Sequence, residues 1–409
     1  MPGKKEITTN LLWYPGHELL IKDIVRAENC FLFDSLGKRY LDLEAGVWCT
    51  ALGHCNPRIT KAMFEQAALL YHTGFVYSSE IVEQAARAVL SLIGFAGGKC
   101  VFLCSGSEAV EYGVRVAQSI IAAPLLMTMT DSYFGAYGSA SKKNQSEWFC
   151  FDWQPCSACP YPGECSKSCE YWAAIPYSLI GGFLFEPGSS SGLVRFPPKK
   201  PIRNIVDTIK KKGGLVLVNE VTTGVGRTGM WFGFQHYGIH PDIVAVGKSI
   251  GNGYPVSAAV FSPAVIDRPG GVPIKYAQSH QNDPLGAAVV REVTRIIKQE
   301  NLIEKGKNTA AVLVRGLETI KSRTDRIKEI RSRGLMIAIE LLDDAQNSFT
   351  IQTHRELVRR GFIVGRRPDV RVLRLDPALT IDSVDIEDFL STFEAVLAEQ
   401  SQGKRQRNS

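Results

Sequence analysis

Lys248 stands in GKSIGNGYP, directly after the apolar run DIVAVG. Burial of a lysine at a strand end lowers its proton affinity, and the neutral amine is then a nucleophile that forms Schiff bases with carbonyl compounds. Flanking Gly247 and Gly251 bare the backbone and leave the side chain room. The ordinary alternative is a solvated surface lysine. A second group lies at CSGSEAVEYGVRVA (104–117), which follows the apolar KCVFLC and opens a helix. Ser105 and Glu108 have capping-box spacing. The N–H groups of Gly106 and Ser107 at the same helix start make an anion site. A cap alone accounts for the serine and glutamate. It does not account for Gly–Ser placed straight after a sheet strand, where a phosphate would sit.

A third group is LVLVNEVTTGVGRTG (215–229), in which Gly224, Gly226 and Gly229 spell G-x-G-x-x-G. A dinucleotide site needs those glycines to open a helix and an acidic residue about 20 positions further on. MWFGFQHYGIHP follows instead, with aromatics, glycines and a proline that make poor helix, and Lys248 and its neighbours fall where the acid should be. A nicotinamide site is therefore not expected. Asn219 and Glu220 end the strand that precedes the glycines. A fourth group is CSACPYPGECSKSC, where Cys156, Cys159, Cys165 and Cys169 are spaced C-x2-C-x5-C-x3-C within 14 residues. Four thiols in a loop broken by prolines suit a structural metal, zinc or an iron–sulfur cluster. Free thiols are the alternative. The other six cysteines are scattered singly.

These groups need a scaffold. Short apolar strands at 99–104, 124–129, 181–186, 214–219, 242–247 and 256–261 alternate with helices that include 107–121, 203–212 and 285–299. Continuous apolar strands between helices predict a parallel sheet covered on both faces. Ligands of such sheets bind beyond the carboxyl ends of the strands, where Asn219 and Lys248 fall. The N-terminal part opens with a hairpin turning at Asp34–Gly37, and IRSRGLMIAIEL and RVLRLDPALTI predict strands of a smaller C-terminal unit.

Bulk properties narrow the classes. The chain has 409 residues, 45% hydrophobic and 22% charged, with mean hydropathy −0.03. Those values fit a soluble globular protein. Net charge is +6, spread along the chain apart from the terminal GKRQRNS, which predicts a solvated tail and no nucleic-acid partner. No apolar run is long enough to span a membrane, and MPGKKEITTN lacks the apolar stretch of a secretory signal, so the expected location is the cytoplasm.

SGSEAVE, NEVTTGVGRTG, FGFQHYGIHPDIVAVGKSIGNGYPVSA and VLRLDPALTI occur in this order. Together they resemble the class III, pyridoxal-phosphate (PLP)-dependent aminotransferases of fold type I, which include ornithine, acetylornithine, 4-aminobutyrate and ω-amino-acid aminotransferases. The resemblance implies an α/β fold with a large domain built on a mostly parallel seven-stranded sheet and a smaller α+β domain from both termini. The divisions would be residues 1–60 and 301–409 for the small domain and 61–300 for the large one, with the Cys-rich insert at 150–170. It implies a homodimer acting on an amino donor and a 2-oxo acid acceptor.

By the same resemblance, Lys248 would carry PLP and move the proton. Gly106 and Ser107 would hold the phosphate, and Tyr133 would stack on the pyridine ring. Thr222 falls where a glutamine often bonds the ring hydroxyl, and Ser279 where a threonine of the other subunit reaches the phosphate. Arg374 would clamp a substrate carboxylate, and Trp48 in GVWC, which looks like the ω-amino-acid members, would wall the pocket. Some 4-aminobutyrate aminotransferases carry a cysteine-held cluster, which bears on the cysteine loop.

Three departures from the family pattern matter. Asn219 replaces the usual aspartate at the ring nitrogen. Ala136 follows Gly135 where ornithine- and 4-aminobutyrate-type members have an arginine. Ser191 stands five residues after Glu186, where those members mask the carboxylate-binding arginine with a glutamate. The expectation from charge is an open Arg374 and a substrate with one carboxylate and a neutral remainder. Racemisation or epimerisation on the same fold, and a non-catalytic metal-binding relative, are the competing readings.

Overall fold

The computed structural model describes all residues except 1–9, 14, 15, 160–164, 166, 167, 269–273, 408 and 409, with the backbone alone over 402–407. Residues 1–9 of the start and the basic tail GKRQRNS discussed above lie outside the described side chains.

In chain order the strands are β1 (Ile24–Glu28), β2 (Phe31–Asp34), β3 (Arg39–Asp42), β4 (Lys99–Leu103), β5 (Leu125–Met129), β6 (Trp148–Phe151), β7 (Ile180–Phe185) and β8 (Leu215–Asn219). There follow β9 (Ile243–Val246), β10 (Ser257–Phe261), β11 (Ile327–Arg333), β12 (Met336–Leu341), β13 (Phe362–Ile363), β14 (Gly365–Arg366) and β15 (Val372–Leu375). Seven of them make a central sheet in the order β4-β10-β9-β8-β7-β5-β6. β6, β5, β7, β8 and β9 run parallel, and β10 is antiparallel to both of its neighbours, β4 and β9.

The sheet is buried on both faces, as its apolar strands require. Alternate residues of β8 feed two separate cores: Val216 and Val218 go to one, Leu215 and Leu217 to the other. β9 divides in the same way, Val244 and Val246 against Ile243 and Ala245. Each fully buried side chain of this size contributes roughly 1.5–3 kcal/mol relative to exposure. The helices Gly106–Ile120, Lys199–Lys211 and Pro284–Gln299 lie within two residues of the expected starts and ends, except that the second begins four residues earlier.

Two differences from the sequence expectation have simple causes. β6 went unrecognised because WFCF is too short to show a period. The run IRSRGLMIAIEL, expected only as strand, folds as the hairpin of β11 and β12, turned at Gly334 with φ +57. Gly334 is needed there because a side-chain carbon would meet the Thr228 carbonyl carbon at 2.4 Å.

Two four-stranded sheets flank the centre. One has the order β1-β2-β3-β13 and joins residues from the two ends of the chain, since β13 pairs parallel to β3. The other has the order β11-β12-β15-β14 and presents Arg374 from β15 opposite Gly365 of β14.

Candidate active site

β9 ends at Val246, and Lys248 begins the short turn Lys248–Gly251 that leads to antiparallel β10. Its backbone is left-handed, with φ +46. The lysine Nζ lies 3.5 Å from Thr222 Oγ1 and 5.5 Å from the centre of the Trp48 ring. Burial holds its pKa below the ordinary lysine value; the charges of Arg374 and Arg367 add to the fall, while Cys49 and Glu186 oppose it.

A cavity of about 240 Å³ opens at this lysine. Gly106, Ser107, Tyr133, Asn219, Thr222 and Lys248 all line it, so six sequence-selected residues from four separate segments meet in one place. The helix Gly106–Ile120 starts at its wall. Ser105 caps it: Oγ accepts the Glu108 N–H at 3.2 Å, and Glu108 accepts the Ser105 N–H at 2.9 Å. The N–H groups of Gly106 and Ser107 have no partner inside the helix. A side-chain carbon on Gly106 would come within 2.5 Å of Val221, which explains the glycine. Ser107 Oγ accepts the Ala136 N–H at 3.0 Å and fixes the loop that carries Tyr133.

Tyr133 is half-exposed and is held from behind by Glu186, which accepts its N–H at 3.0 Å and the Ser190 hydroxyl at 2.6 Å. Burial pushes the Glu186 pKa up to about 7. Glu220 is fully buried on the other side of β8. It accepts Thr223 Oγ1 and the N–H groups of Gly233 and Phe234, all between 2.7 and 2.8 Å, and ties down the glycine loop. The loop's glycines open no regular helix. Their loop carries buried Arg227, which donates to the Leu335 and Pro377 carbonyls and joins the central sheet to the C-terminal sheet.

The opposite wall comes from residues 42–48 and from β15. Asp42 accepts the N–H groups of Glu44 and Gly46 and pairs with His54 at 2.8 Å. Residues 45–48 form one left-handed turn, φ +45 to +66, which turns Trp48 inward. Ser249 Oγ bonds the Trp48 carbonyl at 2.9 Å and locks the turn to the lysine segment. Arg374 is 4% exposed, with its guanidinium 3.8 Å from the Trp48 ring centre.

Arg374 is not open, contrary to the expectation from Ser191. Its Nη2 donates to Glu44 Oε1 at 2.6 Å. No local pattern signals this pair, because the two residues are 330 positions apart. Gly365 makes room for the pair, as a side-chain carbon there would lie 2.6 Å from Arg374 Nη2. Ser191 contributes only its carbonyl, to Arg367.

Ser279 is exposed and does not line its own chain's cavity. Its loop is anchored to β4, with Asn282 bonding Phe102 through both backbone and side chain. The four clustered cysteines share one neighbourhood: Cys165, Cys169 and Cys159 all raise the Cys156 pKa, after burial, to about 11. Among the described residues their sulfurs are not gathered to ligand distance of one another, and the metal expectation finds no support. His72, His280 and Asp283 are gathered in that way elsewhere.

A buried strand-end lysine beside a helix start whose first N–H groups lack helical partners, on a seven-stranded sheet of this order, fits an enzyme built to hold a phosphorylated aldehyde. The chain belongs to the family described as Aminotransferase class-III, whose pattern matches residues 14–397. It is thus a PLP-dependent transaminase, moving an amino group between an amino compound and a 2-oxo acid. The chain is similar to the acetylornithine aminotransferase of Caldanaerobacter subterraneus, 30% identical over 92% of this chain and 94% of that one. It is 26% identical to the leucine/methionine racemase of Thermococcus litoralis, over 93% and 91% of the two chains. Among solved structures, a Bacillus anthracis aminotransferase superposes with a TM-score of 0.84 at 22% identity, covering 95% and 96%, which supports the fold.

Proposed function

We propose that the cavity at Lys248 is the transamination site of an ω-amino-acid type aminotransferase, a cytoplasmic homodimer whose large domain spans 61–300. The convergence of Lys248, Gly106, Ser107, Tyr133, Asn219 and Thr222 on one cavity carries this reading. The residues fit PLP: the free N–H groups of Gly106 and Ser107 suit its phosphate, the Tyr133 ring its pyridine face and Asn219 its ring nitrogen. Bound PLP supplies the electron sink for charge left on the amino-bearing carbon. Lys248 Nζ, its proton affinity lowered by burial, takes the proton from that carbon and gives one back. Thr222 Oγ1 orients the amine, and Trp48 keeps water from it. Arg374 is the residue placed to take a substrate carboxylate when Glu44 releases it.

Borohydride reduction of the yellow holoenzyme, followed by peptide mapping, tests the lysine. Modification at Lys248 is expected, and retention of both the colour and amino transfer in Lys248→Ala would refute the assignment. Incubation with an amino acid and a 2-oxo acid should give amino transfer. Loss of stereochemical purity without transfer would instead favour the racemase reading.

A further inference from the structure

The start of the helix Pro284–Gln299 carries three side chains that the cavity at Lys248 does not use. Asp283 is the N-cap residue of this helix, yet its carboxylate accepts no N–H of the first turn. An aspartate at that position ordinarily does so. Here it engages two histidines instead. Oδ1 lies 2.6 Å from His72 Nδ1, and Oδ2 lies 2.5 Å from His280 Nδ1. The two imidazole rings are 4.8 Å apart at their centres. One ligand atom from each of the three residues lies within 4.8 Å of the other two. Among the described residues, the ion-pair partners of Asp283 are these two histidines alone.

The surrounding backbone is held firmly. His72 lies 211 positions before Asp283, just beyond the helix Pro57–Leu69, which packs against Pro284–Gln299. Asn282, with φ +60, donates its N–H to the Phe102 carbonyl at 3.0 Å and accepts the Phe102 N–H at 2.8 Å. The His280 N–H donates to Gln278 Oε1 at 2.9 Å. The Asp283 side chain is 14% exposed and that of His280 60%, so the carboxylate sits deep and the rings face solvent. His280 and Asp283 also line a cavity of about 210 Å³, which leaves room for water.

Two imidazoles and one carboxylate are a donor set for zinc and the neighbouring transition metals, whereas magnesium and calcium favour oxygen alone. A tetrahedral ion held at ~2.0–2.1 Å by each ligand needs the ligand atoms roughly 3.3 Å apart, so each nitrogen has to draw back from Asp283 by under about 1 Å. Small rotations of the solvent-facing rings suffice. We propose that His72, His280 and Asp283 bind one divalent transition-metal cation per chain, with water completing its shell. The cation staples the start of Pro284–Gln299, and the loop carrying Ser279 beside His280, to the segment at residue 72. None of the three ligands lines the cavity at Lys248, and the site does not rest on the transamination reading.

The test is a zinc titration of the PLP-loaded enzyme against a chromophoric chelator. The native enzyme should bind one zinc ion per chain more than His72→Ala or His280→Ala does, a difference that cancels any zinc held by the cysteine loop. Asp283→Asn, which keeps an oxygen for the two rings but loses the charge, should weaken this ion at least about ten-fold, the lower end of what disturbing a metal ligand's surroundings costs. At a hundred-fold excess over its Kd, zinc should raise the native Tm by about three degrees and leave the histidine variants unmoved. Magnesium at the same concentration should do neither. Both histidine variants should stay yellow and be marked by borohydride at Lys248, which separates a lost ligand from a lost fold. A native enzyme that binds no zinc, or histidine variants that bind as much as the native enzyme, overturns the site.

Discussion

Asn219 donates its side-chain amide to the Tyr133 carbonyl at 3.1 Å and accepts the Val221 N–H at 3.1 Å. The two bonds together fix which end of the amide is which, since a carbonyl needs a donor and an N–H an acceptor. An aspartate would keep the bond to Val221 but set a carboxylate oxygen against the Tyr133 carbonyl. Nor does a nearby acid take over its charge. Glu186 and Glu220 spend their oxygens on Tyr133, Ser190, Thr223, Gly233 and Phe234, and neither lines the cofactor cavity.

With Asn219 at the ring nitrogen of bound PLP, as proposed, that nitrogen would meet no carboxylate among the described cavity-lining residues and should be less protonated than over an aspartate. In Asn219→Asp the ¹⁵N resonance of ring-labelled PLP should move towards the protonated position. Loss of the α-proton should quicken, with a larger share of side products. An unchanged ¹⁵N resonance would mean that residue 219 does not face the nitrogen.

Glu44 gives the site a pH dependence of definite sign. Burial pushes its pKa up to about 7, Arg374 works the other way, and Asp376 and Asp42 add to the rise. Below that pH the carboxyl is neutral and holds Arg374 only weakly; above it the ion pair closes. Affinity for carboxylate-bearing substrates should therefore fall as the pH rises from 6 to 8, by roughly ten-fold if the pair is competed directly. Glu44→Gln should flatten the profile and tighten binding at the alkaline end. Stability has the same direction: a carboxyl whose folded pKa is raised contributes fully below its unfolded pKa, and that contribution is lost as the pH rises through about 7. Glu44→Gln should thus gain in Tm relative to the native enzyme between pH 5 and 8. A steep profile surviving in Glu44→Gln would assign the dependence to another group.

Ser279 should serve the neighbouring subunit's cavity. Mixed Lys248→Ala and Ser279→Ala protomers, each impaired alone, should regain activity on exchange, because some heterodimers then have one site free of both changes. No recovery after verified exchange would place Ser279 in its own subunit's site or outside both.

The chemistry that depends on neighbours in the chain was legible from the residues. Lys248 after an apolar strand and the Ser105–Glu108 cap are local patterns, and both stand as expected. The glycines of 224–229 open no regular helix, and the task of their loop, carrying Arg227 into the C-terminal sheet, depends on Leu335 and Pro377 more than a hundred positions away. Glu44 on Arg374 and His72 on Asp283 were missed for the same reason. Each is a contact between distant segments, with no periodicity or motif to announce it. Arg374 was found only through the family resemblance, which carried with it the mistaken idea that its mask must lie at 191.

The left-handed backbone at Lys248 has an energetic consequence. A residue with a β-carbon held at φ +46 costs on the order of 1–2 kcal/mol, a cost glycine does not bear. The nucleophile thus occupies a position where folding alone would select glycine, and the cofactor-free protein forgoes thermal stability to keep it there. Cofactor-free Lys248→Gly should melt about one to two degrees above cofactor-free Lys248→Ala, although both lack the amine, and the gap between them measures how far this fold has been loaded, like a bent spring, in favour of turnover.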